Sequence, residues 1–95
     1  MYLMIHNAPG GSRVVAVCDH ELMGKTLSNG DIEITITKDF YGETLATEDE
    51  VRDALRYANN ANIIGNRVVE IAVSLGLVER SSCFMIGSVP HAQIM

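Results

Sequence analysis

Isoleucine alternates with polar residues through Asp31-Ile32-Glu33-Ile34-Thr35-Ile36-Thr37. A period of two over seven residues predicts a strand with one wet face and one buried face. Tyr2 to His6 predicts an earlier strand, and the β-branched run Arg13 to Cys18 predicts a well-buried one. Between them, Ala8-Pro9-Gly10-Gly11-Ser12 has turn chemistry, so the two strands read as a hairpin. Asp19 to Leu22 fits a single helical turn capped by Asp19, with Gly24 as its breaker and Lys25 to Ser28 irregular. Asn29-Gly30 is a turn dipeptide.

Further along, the period changes. Thr47-Glu48-Asp49-Glu50 is a capping box, and its acidic residues suit the positive end of a helix dipole. Val51, Ala54, Leu55 and Ala58 follow at i, i+3, i+4 and i+7, so a helix is expected from about Glu48 to Tyr57 or Asn60. Asn59-Asn60-Ala61-Asn62 is rich in cap-type residues and predicts a break. A second helix is then expected, with Ile64, Val68, Ile71, Ala72 and Leu75 on one face, Gly65 inside it and Gly76 just past its end. A glycine inside a helix costs about 1 kcal/mol against alanine, which points to close backbone packing or a bound group at Gly65. Cys83 to Ile86 predicts another strand, Gly87-Ser88 a bend, and Pro90 to Ile94 a short extended tail of edge-strand type.

The expected architecture is one domain over residues 1–95 of α+β class. It has a small, mostly antiparallel sheet of about four to five strands, order β-β-β-α-α-β-(β), with two helices packed on one face.

With 7 basic and 12 acidic residues, the chain carries a net charge of −5. Phosphate-backbone affinity rests largely on Lys and Arg, so bare nucleic acid is a poor partner for it. No run approaches the roughly 20 apolar residues that span a bilayer, and the N-terminus has no basic region before its apolar residues. A cytoplasmic location without membrane contact is therefore expected. Cys18 and Cys83 both lie in apolar runs and read as reduced thiols.

The last nine residues, Gly87 to Met95, are mostly apolar and uncharged, and they carry His91 and Gln93 between a proline and the chain end. A tail of that kind is expected to be tied into the fold, which makes these two the first site candidates. Asp19, Lys25 and Asn62 join them because each falls at a predicted boundary or loop. Together they offer a carboxylate, an amine, an amide and an imidazole. His91, oriented by Asp19, would suit general acid–base chemistry. The plainer reading makes Asp19 and Asn62 helix caps and His91 a satisfied imidazole. In Phe40-Tyr41-Gly42, Phe40 is expected in the core, and Tyr41 stays open as a stacking surface. Cys18, His20, Cys83 and His91 are weak candidates for a tetrahedral zinc site, because no pair has the short loop spacing that such sites use. Gly24-Lys25-Thr26 lacks the upstream glycine of a phosphate-binding loop. No metal or cofactor is expected.

Four collinear blocks carry a family resemblance: Val15 to Thr26, Phe40-Tyr41-Gly42, Ala61 to Arg67, and Gly87 to Met95 around Pro90-His91-Ala92-Gln93. Together they resemble the archaeal family designated domain of unknown function 424. The resemblance implies an archaeal cytosolic protein. Glu43 and Ser88 stand where the family pattern usually has glycine.

Two functions are expected from different classes. The leading one is a non-catalytic binding or adaptor module associated with information processing, in contact with a protein or a ribonucleoprotein complex. The alternative is a small enzyme or metabolite-binding protein using His91, Asp19 and Lys25, and a zinc-stabilised domain comes third. A homodimer through the C-terminal strand is compatible with each.

Overall fold

A computed structural model describes all of residues 1–95. Seven strands and three α-helices follow the order β1 (Tyr2–Asn7), β2 (Arg13–Cys18), β3 (Thr26–Asn29), β4 (Ile32–Thr35), α1 (Lys38–Tyr41), α2 (Glu48–Arg56), β5 (Asn60–Ile64), α3 (Asn66–Ser74), β6 (Phe84–Ile86) and β7 (Val89–Ile94). Five strands form one sheet in the order β1-β2-β5-β7-β6, and β3-β4 form a separate hairpin. Every pairing is antiparallel except β2 with β5. The class is α+β, as the pattern predicts.

Alternation along the strands gives the large sheet two faces. Val15, Val17, Ala61, Ile63 and Ala92 point to one face. There they meet Val51 and Leu55 of α2 and Val68, Val69 and Ala72 of α3. Ala16, Cys18 and Ile64 point to the other, where Leu22, Ile36, Tyr41 and Ile86 cover them. The two longer helices therefore share one face, and the second face is closed by the hairpin region and α1.

Several local expectations need correction. Asn60 to Ile64 is a central strand, not a helix break leading into a helix, and Gly65 is the N-cap of α3, not an interior residue. Lys25 to Ser28 is mostly strand β3, so the Asn29-Gly30 turn closes a hairpin onto β4. Ile36 lies beyond the end of β4 and is fully buried, whereas Ile32 on the same predicted face is exposed. The Pro90–Ile94 tail lies in an interior strand between β5 and β6. Pro90 is tolerated there because its carbonyl accepts from the Gly65 N–H at 3.0 Å. A strand residue's two backbone groups face the same neighbour. The missing N–H thus falls on the β5 side, beyond the last β5–β7 pair (Ile64 with His91), and removes no bond to β6. In the aromatic pair, Tyr41 is the core residue and Phe40 is exposed. The Phe40 carbonyl accepts from His6 Nε2 at 2.6 Å, and its ring stacks on that imidazole.

Other expectations hold. Thr47 Oγ1 accepts from the Glu50 N–H while Glu50 Oε1 accepts from the Thr47 N–H, closing the capping box. Gly76 ends α3 with φ 75°, its N–H donating to the Val73 carbonyl and the Leu77 N–H to the Ala72 carbonyl.

Candidate functional site

Asn62 sits at the middle of β5, paired with Ala16 on one side and Gln93 on the other. Its side chain lies on the sheet face that Tyr41 covers. A primary amide in such a place costs free energy unless its polar atoms are paired. Here the Tyr41 hydroxyl donates to Asn62 Oδ1 at 3.1 Å, and His91 Nε2 lies 3.1 Å from the same oxygen. A carbonyl oxygen only accepts, so His91 carries its proton on Nε2.

That contact leaves His91 Nδ1 as an acceptor in the neutral ring. No side-chain nitrogen or oxygen in a buried or half-buried residue is both sealed from solvent and unpartnered. The His91 Nδ1 and the Asn62 amide nitrogen, neither held by another group, are therefore not fully sealed from solvent. Burial pushes the His91 pKa below its ordinary 6.5, favouring the neutral form. Burial also pushes the Tyr41 hydroxyl up to about 12, aided by nearby Cys18, so it stays a donor.

Asp19 is almost fully buried, and it serves α3 rather than His91. Its two carboxylate oxygens accept from the Arg67 N–H at 2.9 Å and the Val68 N–H at 3.0 Å. These amides are free at a helix start and face a negative charge across the positive end of the dipole. Burial raises the Asp19 pKa, and the two amide bonds oppose that rise. Gly65 explains how the carboxylate gets so close. A Cβ at Gly65 would lie 2.3 Å from Asp19 Cγ, and its φ of 123° is closed to ordinary L-residues. The close approach expected at Gly65 is thus an internal one, from Asp19.

Lys25 is exposed at the entry to the β3–β4 hairpin, where its carbonyl accepts from the Ile36 N–H. The weak zinc candidates are dispersed. Cys18 is fully buried, with its thiol pushed up to about 11 by burial and by Asp19. His20 is exposed and stacks on Tyr2, and the Cys83 thiol donates to the Glu79 carbonyl at 3.6 Å. No three His, Cys, Asp or Glu side chains form a group that would hold an ion.

Strand β6 is only three residues long and begins at Phe84 opposite His91, so β7 has no partner on that side beyond this point. A cavity of about 590 Å³ opens there, walled by Leu77, Glu79, Phe84, His91 and Gln93 among its ten residues. The volume falls in the range of roughly 300–1,000 Å³ typical of small-molecule sites. Two smaller depressions elsewhere contain none of the candidate residues. Phe84, Glu79 and Leu77 carried no sequence signal as site residues, and Cys83 carried only that of a weak metal ligand. Only the brevity of β6 brings them to the cavity.

These features define a small α+β protein with an imidazole–amide–phenol relay on one sheet face and a cavity beside it. The chain belongs to the family described as protein of unknown function (DUF424), which it matches over residues 6–95. Its fold is similar to the crystal structure of an uncharacterized conserved protein from Methanopyrus kandleri. The TM-score is 0.79 at 26% identity, covering 98% of this chain and 88% of that one. No curated protein matches the chain. No helix is long and apolar enough to cross a membrane.

Proposed function

We propose that this protein is a non-catalytic binding module whose working surface is the cavity beside β7, with Tyr41 and Asn62 behind it holding His91. The observation that carries this reading is the state of His91. It is tethered through Nε2 to Asn62, lines the cavity with Gln93, and keeps one nitrogen without a protein partner. A fixed acceptor on a rigid strand, oriented by a second hydrogen-bonded layer, is the arrangement that binding sites use for specificity. The enzyme alternative relied on Asp19 orienting His91, and the Asp19 carboxylate is committed to α3.

An adaptor role toward a protein or ribonucleoprotein partner is a second reading, supported by Phe84 and Met85. Both are about half exposed on the edge strand β6. Apolar side chains at a strand edge suit a protein contact.

The test is an NMR screen of the ¹⁵N-labelled chain against small uncharged fragments. Shifts grouped at Phe84, His91 and Gln93 are expected. Fragments that leave those residues unmoved while a partner protein perturbs Met85 and its β6 neighbours would favour the adaptor.

A further inference from the structure

We infer that the cavity beside β7 takes an uncharged heteroaromatic ring of the nucleobase type, with Phe84 stacking on its face and His91 and Gln93 pairing with its edge. This deepens the binding-module reading and rests on it.

Three observations converge. First, Phe84 is directly opposite His91 in the β6–β7 register, so their side chains stand on the same face as cross-strand neighbours. Phe84 is 48% exposed and is one of the residues that line the cavity. A half-exposed aromatic ring fixed on a strand is a stacking platform, and it accepts any flat ring because every base has a π-face.

Second, the hydrogen-bonding groups match a base edge. His91 offers a lone acceptor, because its Nε2–H is committed to Asn62. Gln93 stands two residues along the same strand and therefore on the same face. It is exposed, no protein group pairs with its side chain, and it lines the cavity. Its amide carries a donor and an acceptor in one plane, the combination that pairs bidentately with a base edge. An acceptor beside an amide suits a ring N–H flanked by a carbonyl or amino group.

Third, the charge of the cavity selects against phosphate. Of its ten lining residues only Glu79 is charged at neutral pH, and it is negative. The chain as a whole carries −5. Affinity for a polyanion needs Lys or Arg against phosphates, and this site presents none. A free base or an unphosphorylated nucleoside therefore fits better than a nucleotide or an unpaired base within RNA.

The test is a titration of the full chain, followed by ¹⁵N NMR and calorimetry. The probes are adenosine, guanosine, cytidine and uridine, their 5′-monophosphates, and a short unstructured oligoribonucleotide. At least one nucleoside should saturate with shifts at Phe84, His91 and Gln93, and its monophosphate should bind several-fold more weakly. Phe84→Ala should weaken it roughly tenfold, with Phe84→Tyr retaining affinity. A Gln93→Ala variant should flatten the preference among bases. Tighter, salt-sensitive binding of the oligoribonucleotide would overturn the free-base assignment. So would nucleoside binding that is unchanged in both Phe84→Ala and Gln93→Ala. If N-methylacetamide moves the same three residues while no nucleoside binds at millimolar concentration, the base assignment fails and the binding-module reading stands. If neither moves any resonance, both fail.

Discussion

Because the Asn62 carbonyl oxygen can only accept, the Tyr41 hydroxyl and His91 Nε2 must both donate to it, and the tautomer of His91 follows. Tyr41→Phe removes one of the two donors without changing shape. It should cost about 1 kcal/mol in urea unfolding and leave the His91 contact in place. The lowered pKa of His91 has a definite sign. The folded state disfavours the protonated ring, so this group supports stability above pH 6.5 and loses that contribution as pH falls through the lower folded value. Ligand affinity should fall over the same window, because protonation converts the free acceptor into a donor. Asp19 and Gly65 form a second residue-level unit. Gly65→Ala places a Cβ on the Asp19 carboxylate and forces a backbone geometry reserved for glycine. Destabilisation of about 3 kcal/mol or more is expected, seen as a lower urea midpoint. A variant as stable as the parent would refute the assigned packing.

At the scale of elements, the parts that sequence made legible are those fixed by local chemistry. The Thr47–Glu50 capping box starts α2 where the pattern places it, and Gly76 ends α3. Thr47→Ala should cost about 1 kcal/mol, measurable by thermal unfolding. β5 was hidden for a physical reason. Asn60-Ala61-Asn62-Ile63-Ile64 does alternate, but its polar partners are asparagines, which ordinarily mark caps and turns. Only tertiary context makes Asn62 acceptable in a strand, through Tyr41 and His91, and that context lies 21 and 29 residues away in the chain. The same distance effect hid the role of Asp19. As a local cap it would serve the turn that follows it, but its carboxylate caps α3, 48 and 49 residues downstream. The choice between Phe40 and Tyr41 as core residue was equally non-local, since it turns on which ring faces Asn62.

For the whole molecule, two differently covered sheet faces meet at the one place where the sheet is incomplete. Helices α2 and α3 seal the first face, while the hairpin region, α1 and Tyr41 seal part of the second. Asn29 ties the hairpin to β6 through the Met85 carbonyl at 3.0 Å. Beyond the Phe84 end of β6, the cavity begins. His91 and Gln93 were legible as candidates from an apolar tail carrying two polar side chains. The cavity was not, because it depends on how few residues of β6 pair with β7. Since Phe84 is about half buried, Phe84→Ala should cost about 1 kcal/mol in unfolding free energy, too little to unfold the protein, so its effect on binding is read on the folded variant.

The most direct test of the account is the protonation state of His91, read by long-range ¹H–¹⁵N NMR across a pH series. The expected result is a proton on Nε2, a pKa below 6.5, and loss of that tautomer preference in Asn62→Ala. A proton on Nδ1 would mean that Asn62 does not hold the ring and that the cavity has no fixed acceptor; a pKa at or above 6.5 would contradict the burial of the imidazole.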